Sequence, residues 1–498
     1  MDAGQIQAAR QVREAYARDP HRPAYHFVTP EGLCMPFDPN GALFWKGKYH
    51  LFYIFQDPRL THGGHCWGHA SSVDLVHWAI HPTALAPREG DPDIGIFSGG
   101  AFVNKEGVPT IIYHGVGAGT CIATAEDDDL IVWKKSPHNP VICEPREGEE
   151  GWGVYNVFDP HAWLEGDTYH VILGGKVKPR DIRDTAYLFN STDLVRWEYV
   201  HPFYEPNPAW TGEEEDCACP DFFRLGDRWA LVCISHPRGA RYYLGRYENE
   251  TFYPEEHHRM NWPGGTCFAP ETLLDGKGRR IFWAWVLECR SGEAQRDAGW
   301  SGVMTLPRIL SLGEDGRMRF DPPREFERLR LNARGHEDIR LEAGEECVLD
   351  KIAGDCLELN VTIQPGNARQ VGLAVRRSPD GAEQTRIVYV PAERKLLIDT
   401  TRSTTAGDVC NPYPVVFGEQ RKDVRIQEAP LALPAGEPLA LRVFLDRSIL
   451  EVFANRRQCV TQRIYPAGRD SVGVAVFAAG GAATVEGVEA WDMAAAHS

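Results

Sequence analysis

Two Asp-Pro dipeptides, Asp38-Pro39 and Asp159-Pro160, open segments of one pattern, in which an apolar stretch is followed by a Gly-containing turn and a Tyr-His stretch. An isolated Asp-Pro dipeptide is ordinary turn chemistry. Two that share one phase of a repeat come to equivalent points of the fold. Two carboxylates that converge on one pocket can cleave a glycosidic bond, one as nucleophile or cation stabiliser and the other as proton donor. The sequence therefore predicts Asp38 and Asp159 as a catalytic pair, with a purely structural turn as the alternative.

Weaker copies of this pattern begin at Ser98, Cys219 and Ala269, so the five starts are 60, 61, 60 and 50 residues apart. Each copy contains a short strand, a turn rich in Gly, Asp or Asn, and a second strand, which is the signature of a β-hairpin. Five such units of roughly 60 residues favour a five-bladed β-propeller, with a Greek-key sandwich as the alternative.

The rest of the chain divides into three parts. Residues 1–32 are polar and predict an N-terminal helical extension before a propeller over 33–320. Residues 321–338 are charged and rich in arginine, which indicates a linker. Short alternating strands fill 339–498 and predict a second all-β domain. The expected fold is all-β, a five-bladed β-propeller followed by a C-terminal β-sandwich.

The composition excludes several classes of protein. Acidic residues number 70 and basic residues 53, and the resulting net charge of −17 repels nucleic acid and anionic lipid. Thirteen scattered cysteines behind a polar N-terminus that lacks a signal-peptide pattern indicate reduced thiols and a cytoplasmic protein. We expect a small carbohydrate partner, no nucleic-acid or membrane partner and no cofactor. A homo-oligomer is compatible with this composition.

Several histidines and cysteines invite other interpretations. Six residues of metal-ligating types lie in two distant segments: His62, His65, Cys66, His69, Cys217 and Cys219. Their spacing matches no standard zinc motif, so no metal site is predicted. Three further histidines are interpreted as pocket or turn residues rather than catalytic groups: His114, His161 and His236.

Longer motifs surround these positions. They are FDPNG (Phe37–Gly41), WGHASSVDLVHW (Trp67–Trp78), FSGGAFV (Phe97–Val103), FDP (Phe158–Pro160), ACPD (Ala218–Asp221) and LRVFLDRSILEVFAN (Leu441–Asn455). These motifs resemble those of glycoside hydrolase family 32, which includes invertase, levanase and inulinase. The similarity extends over about residues 33–495.

The resemblance implies roles for individual residues. Asp38 would be the nucleophile that forms a covalent glycosyl-enzyme, and Asp159 would bind sugar hydroxyls and stabilise the oxocarbenium-like transition state. The resemblance also implies a set of substrate-binding positions: Asn40, Trp67, His69, Phe97, Ser98, Phe158 and Glu271.

One expected acid is missing. Ala218 stands where the family has the glutamate that serves as general acid and base. Three nearby acids could replace it. Asp216 would share a strand face with Ala218, Glu215 could reach the pocket through a bulge, and Glu271 shares the phase of the aspartates. A solvated acidic turn at 213–216, with no internal acid, is the alternative.

Three polar contacts of the family are also apolar here, at Phe37, Ile54 and Phe158. Losing a buried hydrogen-bond partner costs about 1–3 kcal/mol, so a terminal fructose cannot be held in the usual way, and sucrose is a doubtful substrate. We expect a retaining, exo-acting glycosidase for a β-fructofuranoside or related furanoside with atypical specificity. Glycosyl transfer in the same pocket and a non-catalytic sugar-binding protein are the alternatives.

Overall fold

The computed structural model describes residues 7, 18–32, 34–177, 181–182, 184–415 and 421–496. Five sheets with a four-stranded path occupy the first two thirds of the chain, and two six-stranded sheets occupy the last third. The predicted fold, a five-bladed β-propeller followed by a β-sandwich, is confirmed. Among the described residues, no helix has the length and apolarity needed to cross a bilayer.

The five blades follow one another along the chain, and the strands within each blade pair antiparallel. Blade 1 contains β1 (Phe37–Trp45), β2 (Lys48–Gln56), β3 (His65–Ser72) and β4 (Trp78–Leu85). Blade 2 contains β5 (Ile96–Val103), β6 (Pro109–Gly115), β7 (Gly119–Ala125), β8 (Trp133–Lys135) and the short β9 (Ile142–Cys143). Blade 3 contains β10 (Pro160–Glu165), β11 (Thr168–Leu173), a separate hairpin of β12 (Lys176–Val177) and β13 (Asp181–Ile182), β14 (Tyr187–Ser191) and β15 (Glu198–Pro202).

The last two blades complete the ring. Blade 4 contains β16 (Ala218–Leu225), β17 (Arg228–Ser235), β18 (Gly239–Glu248) and β19 (Thr251–Arg259). Blade 5 contains β20 (Cys267–Leu274), β21 (Arg280–Val286), the helix α1 (Gly292–Ala298), β22 (Val303–Met304), β23 (Arg308–Leu312) and β24 (Met318–Asp321). An isolated bridge between Val28 and Val303 joins the chain that precedes blade 1 to blade 5.

The pentapeptide DLVHW and its relatives DLIVW and DLVRW form the turn before the fourth strand of blades 1, 2 and 3. The leucine of each copy has a positive φ: 65° at Leu75, 58° at Leu130 and 62° at Leu194. In blades 1 and 3 the aspartate side chain accepts hydrogen bonds from the backbone two and three residues later. This sequence repeat is therefore a structural turn.

The first strand of a blade begins with an irregular turn. In blades 1, 2, 4 and 5 its pairing with the second strand shifts register there. In blades 3, 4 and 5 the residue at the repeat start has a positive φ: 38° at Asp159, 45° at Cys219 and 46° at Ala269. A bulge re-aims the side chains of a strand. These irregular starts therefore orient the first residues of different blades toward one another.

The sandwich follows the 3-10 helix Arg324–Leu329. Its strands are β25 (Arg330–Leu341), β26 (Glu346–Ala353), β27 (Cys356–Gln364), β28 (Gln370–Arg377), β29 (Thr385–Val390), β30 (Lys395–Asp399), β31 (Pro412–Tyr413), β32 (Lys422–Asp423), β33 (Ile426–Pro430), β34 (Leu439–Asp446), β35 (Ile449–Ala454), β36 (Gln458–Arg463), β37 (Gly473–Ala479) and β38 (Ala483–Met493). One sheet has the order β25-β38-β27-β34-β35-β36 and the other β26-β37-β28-β29-β30-β33. Alternate residues of both sheets fill the core between them.

Two predicted segments differ from the observed ones. Residues 330–338, predicted as part of the linker 321–338, belong to β25, which pairs with β38. This strand lies at a sheet edge and is mostly exposed, so its sequence is charged like that of a linker. Most of the predicted helical extension over 1–32 lies outside the described residues. Residues 19–32 contain no helix, and Tyr25 and Phe27 of this stretch are buried.

The two domains share a continuous apolar core in which Phe282 of blade 5 belongs to the same cluster as Phe444 and Phe453 of the sandwich. A buried ion pair crosses this interface, because Arg308 of β23 donates to Glu451 of β35 at 2.7 Å. The sandwich is therefore packed against the propeller as one structural unit.

Candidate active site

Four of the five repeat starts contact one another: Asp38, Ser98, Asp159 and Cys219. The fifth, Ala269, belongs to an apolar cluster against which Cys219 packs. Asp38 lies within hydrogen-bonding distance of Ser98 and Asp159 within that of Cys219, although about sixty residues separate the members of each pair. The equal phase of the sequence repeats thus becomes spatial contact between the repeat starts of neighbouring blades.

Asp38 is nearly buried and poorly supplied with donors. Its Oδ2 accepts from the Ser98 hydroxyl at 3.1 Å, whereas no described residue supplies a partner for Oδ1. Burial raises the pKa of this carboxyl above its ordinary value. The turn that carries it is fixed by Asn40, whose amide donates to the Asp38 carbonyl at 2.8 Å and accepts from the backbone of Gly99 at 2.9 Å. Asn40 is therefore a brace for the Asp38 turn.

Asp159 faces the same layer from blade 3. Its Oδ2 accepts from the backbone N–H of Cys219 at 3.0 Å. Burial, assisted by the negative charge of nearby Asp38, raises the pKa of Asp159 to about 7. A carboxyl whose pKa is raised by burial and by a neighbouring carboxylate is a common feature of catalytic centres.

Cys219 joins the two carboxylates and was not among the predicted site residues. Its Sγ lies 3.8 Å from Oδ2 of Asp38 and 3.5 Å from Oδ2 of Asp159. Burial and the two adjacent carboxylates raise its thiol pKa well above the ordinary value, so the neutral thiol can donate to either acid. The signal was present in the sequence, since Cys219 is itself a repeat start.

The residues just before the repeat starts form an apolar collar, defined by Phe37, Phe97, Phe158, Ala218 and Phe268. The ring of Phe97 lies 6.3 Å from that of Phe158, and both Phe37 and Phe268 lie 5.8 Å from the ring of Trp285. Four of the five blades thus contribute a phenylalanine. Phe97 and Phe158, predicted to contact substrate, are members of this collar and are partly exposed.

A second polar layer lies two residues further along the first strands. It contains Asn40, His161, Asp221 and Glu271. Glu271 accepts from the backbone of Ala42 at 2.8 Å, and burial raises its pKa well above the ordinary value. The interpretation of Glu271 as the proton donor is therefore not supported, because the strand carries it past the layer of Asp38 and ties it to the backbone there.

Glu215 is also unsuited to proton transfer. It is ion-paired with Arg259 at 2.7 Å and with Arg241 at 3.2 Å. Although burial opposes ionisation, these arginines lower the pKa of Glu215 to about 2. A carboxylate held in this way does not carry a proton at neutral pH, so the prediction of Glu215 as a catalytic acid is corrected to a structural ion pair.

Asp216 is completely buried and bonded to a histidine. Its Oδ1 accepts from the backbone N–H of His236 at 3.0 Å, and its Oδ2 lies 2.6 Å from Nδ1 of the same residue. Both residues line a cavity of about 420 Å³ together with His114 and Phe158. Asp216 thus borders a cavity that Phe158 also lines, with its carboxylate engaged by His236.

Two predicted contacts with substrate are buried inside blade 1 instead. Trp67 is fully buried, and its indole N–H donates to the carbonyl of Phe97 at 2.9 Å. His69 is fully buried, stacks on Phe52 and lies 3.0 Å from His50. Trp67 therefore fixes the backbone of the collar residue Phe97, and His69 is a core residue. Ile54 is likewise buried in the core.

The residues considered for zinc do not converge. His65 pairs with Gln56, and the Cys66 thiol donates to the carbonyl of Gly64. Among the described residues, no group of three or more His, Cys, Asp or Glu side chains is arranged to hold a metal ion. All thirteen cysteines are free thiols.

Comparisons with known proteins agree with this geometry. The family model "Glycosyl hydrolases family 32 N-terminal domain" matches residues 26–322, and "Glycosyl hydrolases family 32 C terminal" matches residues 325–492. A sucrose-6-phosphate hydrolase of Zymomonas mobilis subsp. mobilis is 30% identical over 515 residues, covering 95% of this chain and 92% of that protein. A levanase of Bacillus subtilis is 29% identical over 509 residues, covering 95% of this chain and 70% of that protein.

A solved structure supports the same relationship. The crystal structure of fructan 1-exohydrolase IIa from Cichorium intybus matches with a TM-score of 0.82 and 25% identity, covering 96% of this chain and 98% of that chain. Because the two family models together span the propeller and the sandwich, the chain belongs to glycosyl hydrolase family 32.

Proposed function

We propose that this protein is a retaining glycosidase that releases the terminal sugar of β-fructofuranosides or related furanosides. The observation that carries the proposal is the convergence of Asp38 and Asp159 on one thiol, Cys219, in the layer below the collar. In this mechanism Asp38 attacks the anomeric carbon and forms a glycosyl-enzyme, which water then hydrolyses. Asp159 binds the sugar hydroxyls beside the developing positive charge.

The second polar layer supports attack from a chain end. His161 and Asp221 lie 3.5 Å apart, and the Asp221 carboxylate also accepts from Thr272 at 2.5 Å. We infer that these side chains, together with the buried Glu271, which accepts from the backbone of blade 1, close the propeller channel beyond the carboxylates. A saccharide that enters through the collar therefore reaches Asp38 with its terminal unit only.

The collar supports an atypical specificity. Its members are four phenylalanines and one alanine, so it offers aromatic faces to the C–H side of a sugar or to an apolar aglycone. The relatives include a sucrose-6-phosphate hydrolase, but a phosphate would meet no cation in this collar. We infer that neutral furanosides with an apolar face or aglycone are hydrolysed better than sucrose or its phosphate.

The test is turnover of a panel of glycosides by the full-length protein, followed by NMR of the first-formed anomer. The panel contains sucrose, 1-kestose, levan oligosaccharides and β-fructofuranosides with aryl aglycones. We expect retention of configuration, a covalent adduct on the peptide that contains Asp38, and no turnover by Asp38→Asn. Asp315→Asn, which alters an exposed carboxylate paired with Arg319 in blade 5, is the control that keeps full activity. Binding without turnover across the panel, or an Asp38→Asn variant with wild-type activity, would refute the proposal.

A further inference from the structure

The proposed reaction needs a group that protonates the leaving oxygen, and Ala218 cannot supply it. Its methyl group is fully buried in a cluster with Ile234, Phe268, Ala269 and Val415. A proton donor must therefore come from another element close to Ala218.

The hairpin β17–β18 brings such an element next to Ala218. In blade 4, Ala218 pairs with Ile234 in antiparallel register. Continuing that register by two residues in each direction places Asp216 opposite His236, which agrees with the two hydrogen bonds between them. The His236 ring also lies 6.3 Å from that of Phe268, a member of the collar.

The sandwich fixes this hairpin from outside. The backbone N–H of Val415 donates to the carbonyl of Pro237 at 3.0 Å, and Arg238 donates to the Tyr413 hydroxyl at 2.6 Å. Asp216 thus holds the side chain of His236, and contacts between the propeller and the sandwich immobilise the turn that carries His236. A catalytic group gains from such support because its position is set before substrate binds.

His236 is also electrostatically connected to the two carboxylates. When His236 is protonated, its charge opposes the effect of burial and lowers the pKa of both Asp38 and Asp159. Other ionisable groups face the site: the Cys219 thiol lies between the two carboxylates, and His114 and Glu144 line the cavity together with His236. A protonated His236 therefore favours the ionised Asp38 that a nucleophile requires.

We propose that His236, oriented by Asp216, is the proton donor and acceptor that replaces the carboxylate missing at Ala218. This inference rests on the proposed glycosidase function. Bonding through Nδ1 fixes the tautomer and assigns proton transfer to Nε2, the nitrogen on the opposite edge of the ring. Asp216 is a positioning residue that stabilises the imidazolium.

The two half-reactions balance. In the first, an Asp38 oxygen bonds to the anomeric carbon, the glycosidic C–O bond breaks with its electron pair on the leaving oxygen, and Nε2 gives that oxygen its proton. In the second, neutral Nε2 takes a proton from water, the water oxygen bonds to the anomeric carbon, and the bond to Asp38 breaks to restore the carboxylate. His236 then carries the proton again.

The experiment compares His236→Gln, Asp216→Asn and Asp38→Asn in the full-length protein. Removing a general acid costs about 10²–10⁴-fold in rate, so His236→Gln is expected to lose this much kcat/KM on the best saccharide of the panel. It should keep within about tenfold of the wild-type rate of adduct formation from a β-furanosyl fluoride, because fluoride departs with far less need of a proton. Azide, which needs no general base, should restore turnover of the fluoride and give the glycosyl azide.

The pH profile separates catalysis from mere structural support. The wild-type kcat/KM should fall at alkaline pH as His236 loses its proton, and this limb should disappear in His236→Gln. In Asp216→Asn the limb should move to lower pH, since the amide no longer stabilises the imidazolium. His258→Gln is the matched control, because His258 forms a second His–carboxylate pair, with Glu256 at 3.0 Å, on the outer strand of the same blade. This control should leave kcat/KM and its pH profile unchanged.

The outcomes distinguish the two proposals. If Asp38→Asn is inactive while His236→Gln keeps the wild-type rate and alkaline limb, the role of His236 is refuted and the glycosidase proposal stands. If Asp38→Asn is as active as the wild type, both proposals fall. Thermal unfolding shows which variants are folded. Should His236→Gln unfold, the pH profile of the isosteric Asp216→Asn decides, and an unmoved alkaline limb would refute the inference.

Discussion

Two regions of this protein bury acidic side chains and use them in opposite ways. At the propeller–sandwich interface, Glu451 accepts from Arg308, from the Thr461 hydroxyl at 2.9 Å and from the backbone of Leu306 at 3.1 Å. In the layer below the collar, Asp38 receives one hydroxyl and a distant thiol, and no described residue supplies a partner for its Oδ1.

The pKa values diverge accordingly. Burial opposes ionisation of Glu451, but Arg308 lowers its pKa to about 2, whereas burial prevails at Asp159 and raises its pKa to about 7. Burial alone therefore does not mark an active site. What marks it is burial without a matched cation, because such a carboxyl keeps free lone pairs and a proton affinity suited to chemistry near neutral pH.

The largest expected effect is on catalysis. Asp38→Asn should lower kcat roughly 10⁴-fold or more, as when a nucleophile is removed. It should leave the melting temperature equal or higher, because the folded state already disfavours the charge of Asp38. Enzyme assays and calorimetry on the same preparation test both statements. A variant that is inactive because it is unfolded would contradict this account of the site.

A substitution at the propeller–sandwich interface should lower stability and leave catalysis unchanged, the opposite of Asp38→Asn. Glu451→Gln leaves Arg308 buried opposite a neutral amide and should lower the free energy of unfolding by about 3–5 kcal/mol. The folded fraction should keep the wild-type kcat/KM. Urea unfolding of the full chain, with Glu486→Gln at an exposed pair with Gln364 as the control, measures the loss. A shift no larger than that of the control would show that the ion pair is dispensable.

The two buried acids should affect stability in opposite directions as the pH changes. Asp159 holds its proton up to about pH 7 in the folded state but only to about pH 4 in the unfolded chain. Its ionisation therefore costs stability increasingly as the pH rises between these values, and Asp159→Asn should gain stability there, most fully above pH 7.

Glu451 titrates in the other direction. Its folded pKa of about 2 lies below the ordinary value, so its stabilising effect is present above about pH 5 and is lost as the pH falls toward 2. The loss caused by Glu451→Gln should shrink in the same acidic range. Urea midpoints of both variants and the wild type between pH 3 and 8 test these opposite directions, and parallel curves would contradict them.

The sequence was sufficient to predict the features that repeat at regular intervals along the chain. The five repeat starts predicted the blades, and their phase predicted that Asp38 and Asp159 converge. The charged segment 330–338 was mistaken for a linker, because an exposed edge strand and a linker have the same composition. A single sequence does not distinguish them without the partner strand.

The details of the site were harder to predict because they depend on neighbouring elements. Glu215 and Asp216 are adjacent in the sequence, yet one faces two arginines and the other faces His236. Trp67 and His69 were predicted to bind substrate but are fully buried in blade 1. Where bulges shift the register, the sequence does not predict which face of a strand lines the channel.

The smallest expected effect concerns the collar. Phe158 precedes Asp159 at one of the positions where the resemblance to the family implies a polar contact, and its ring lies 4.8 Å from that of His114. Phe158→Arg places a donor beside the sugar hydroxyls, and a hydrogen bond to a charged group contributes about 1.5–3 kcal/mol. We expect kcat/KM for sucrose to rise by about 10–100-fold, mainly through KM, while turnover of aryl furanosides falls.

The control for this exchange is Phe158→Met, which removes the aromatic ring without adding a donor. If the collar selects apolar groups by stacking, the methionine variant should lose activity on aryl furanosides and gain none on sucrose. A comparable gain on sucrose in both variants would mean that the ring merely obstructs the sugar. The arginine should also lower the pKa of Asp159, because a cation stabilises a neighbouring carboxylate. The acidic limb of the kcat/KM profile should therefore move to lower pH in Phe158→Arg and stay in place in Phe158→Met. This difference distinguishes the effect of adding a positive charge from the effect of removing the aromatic ring.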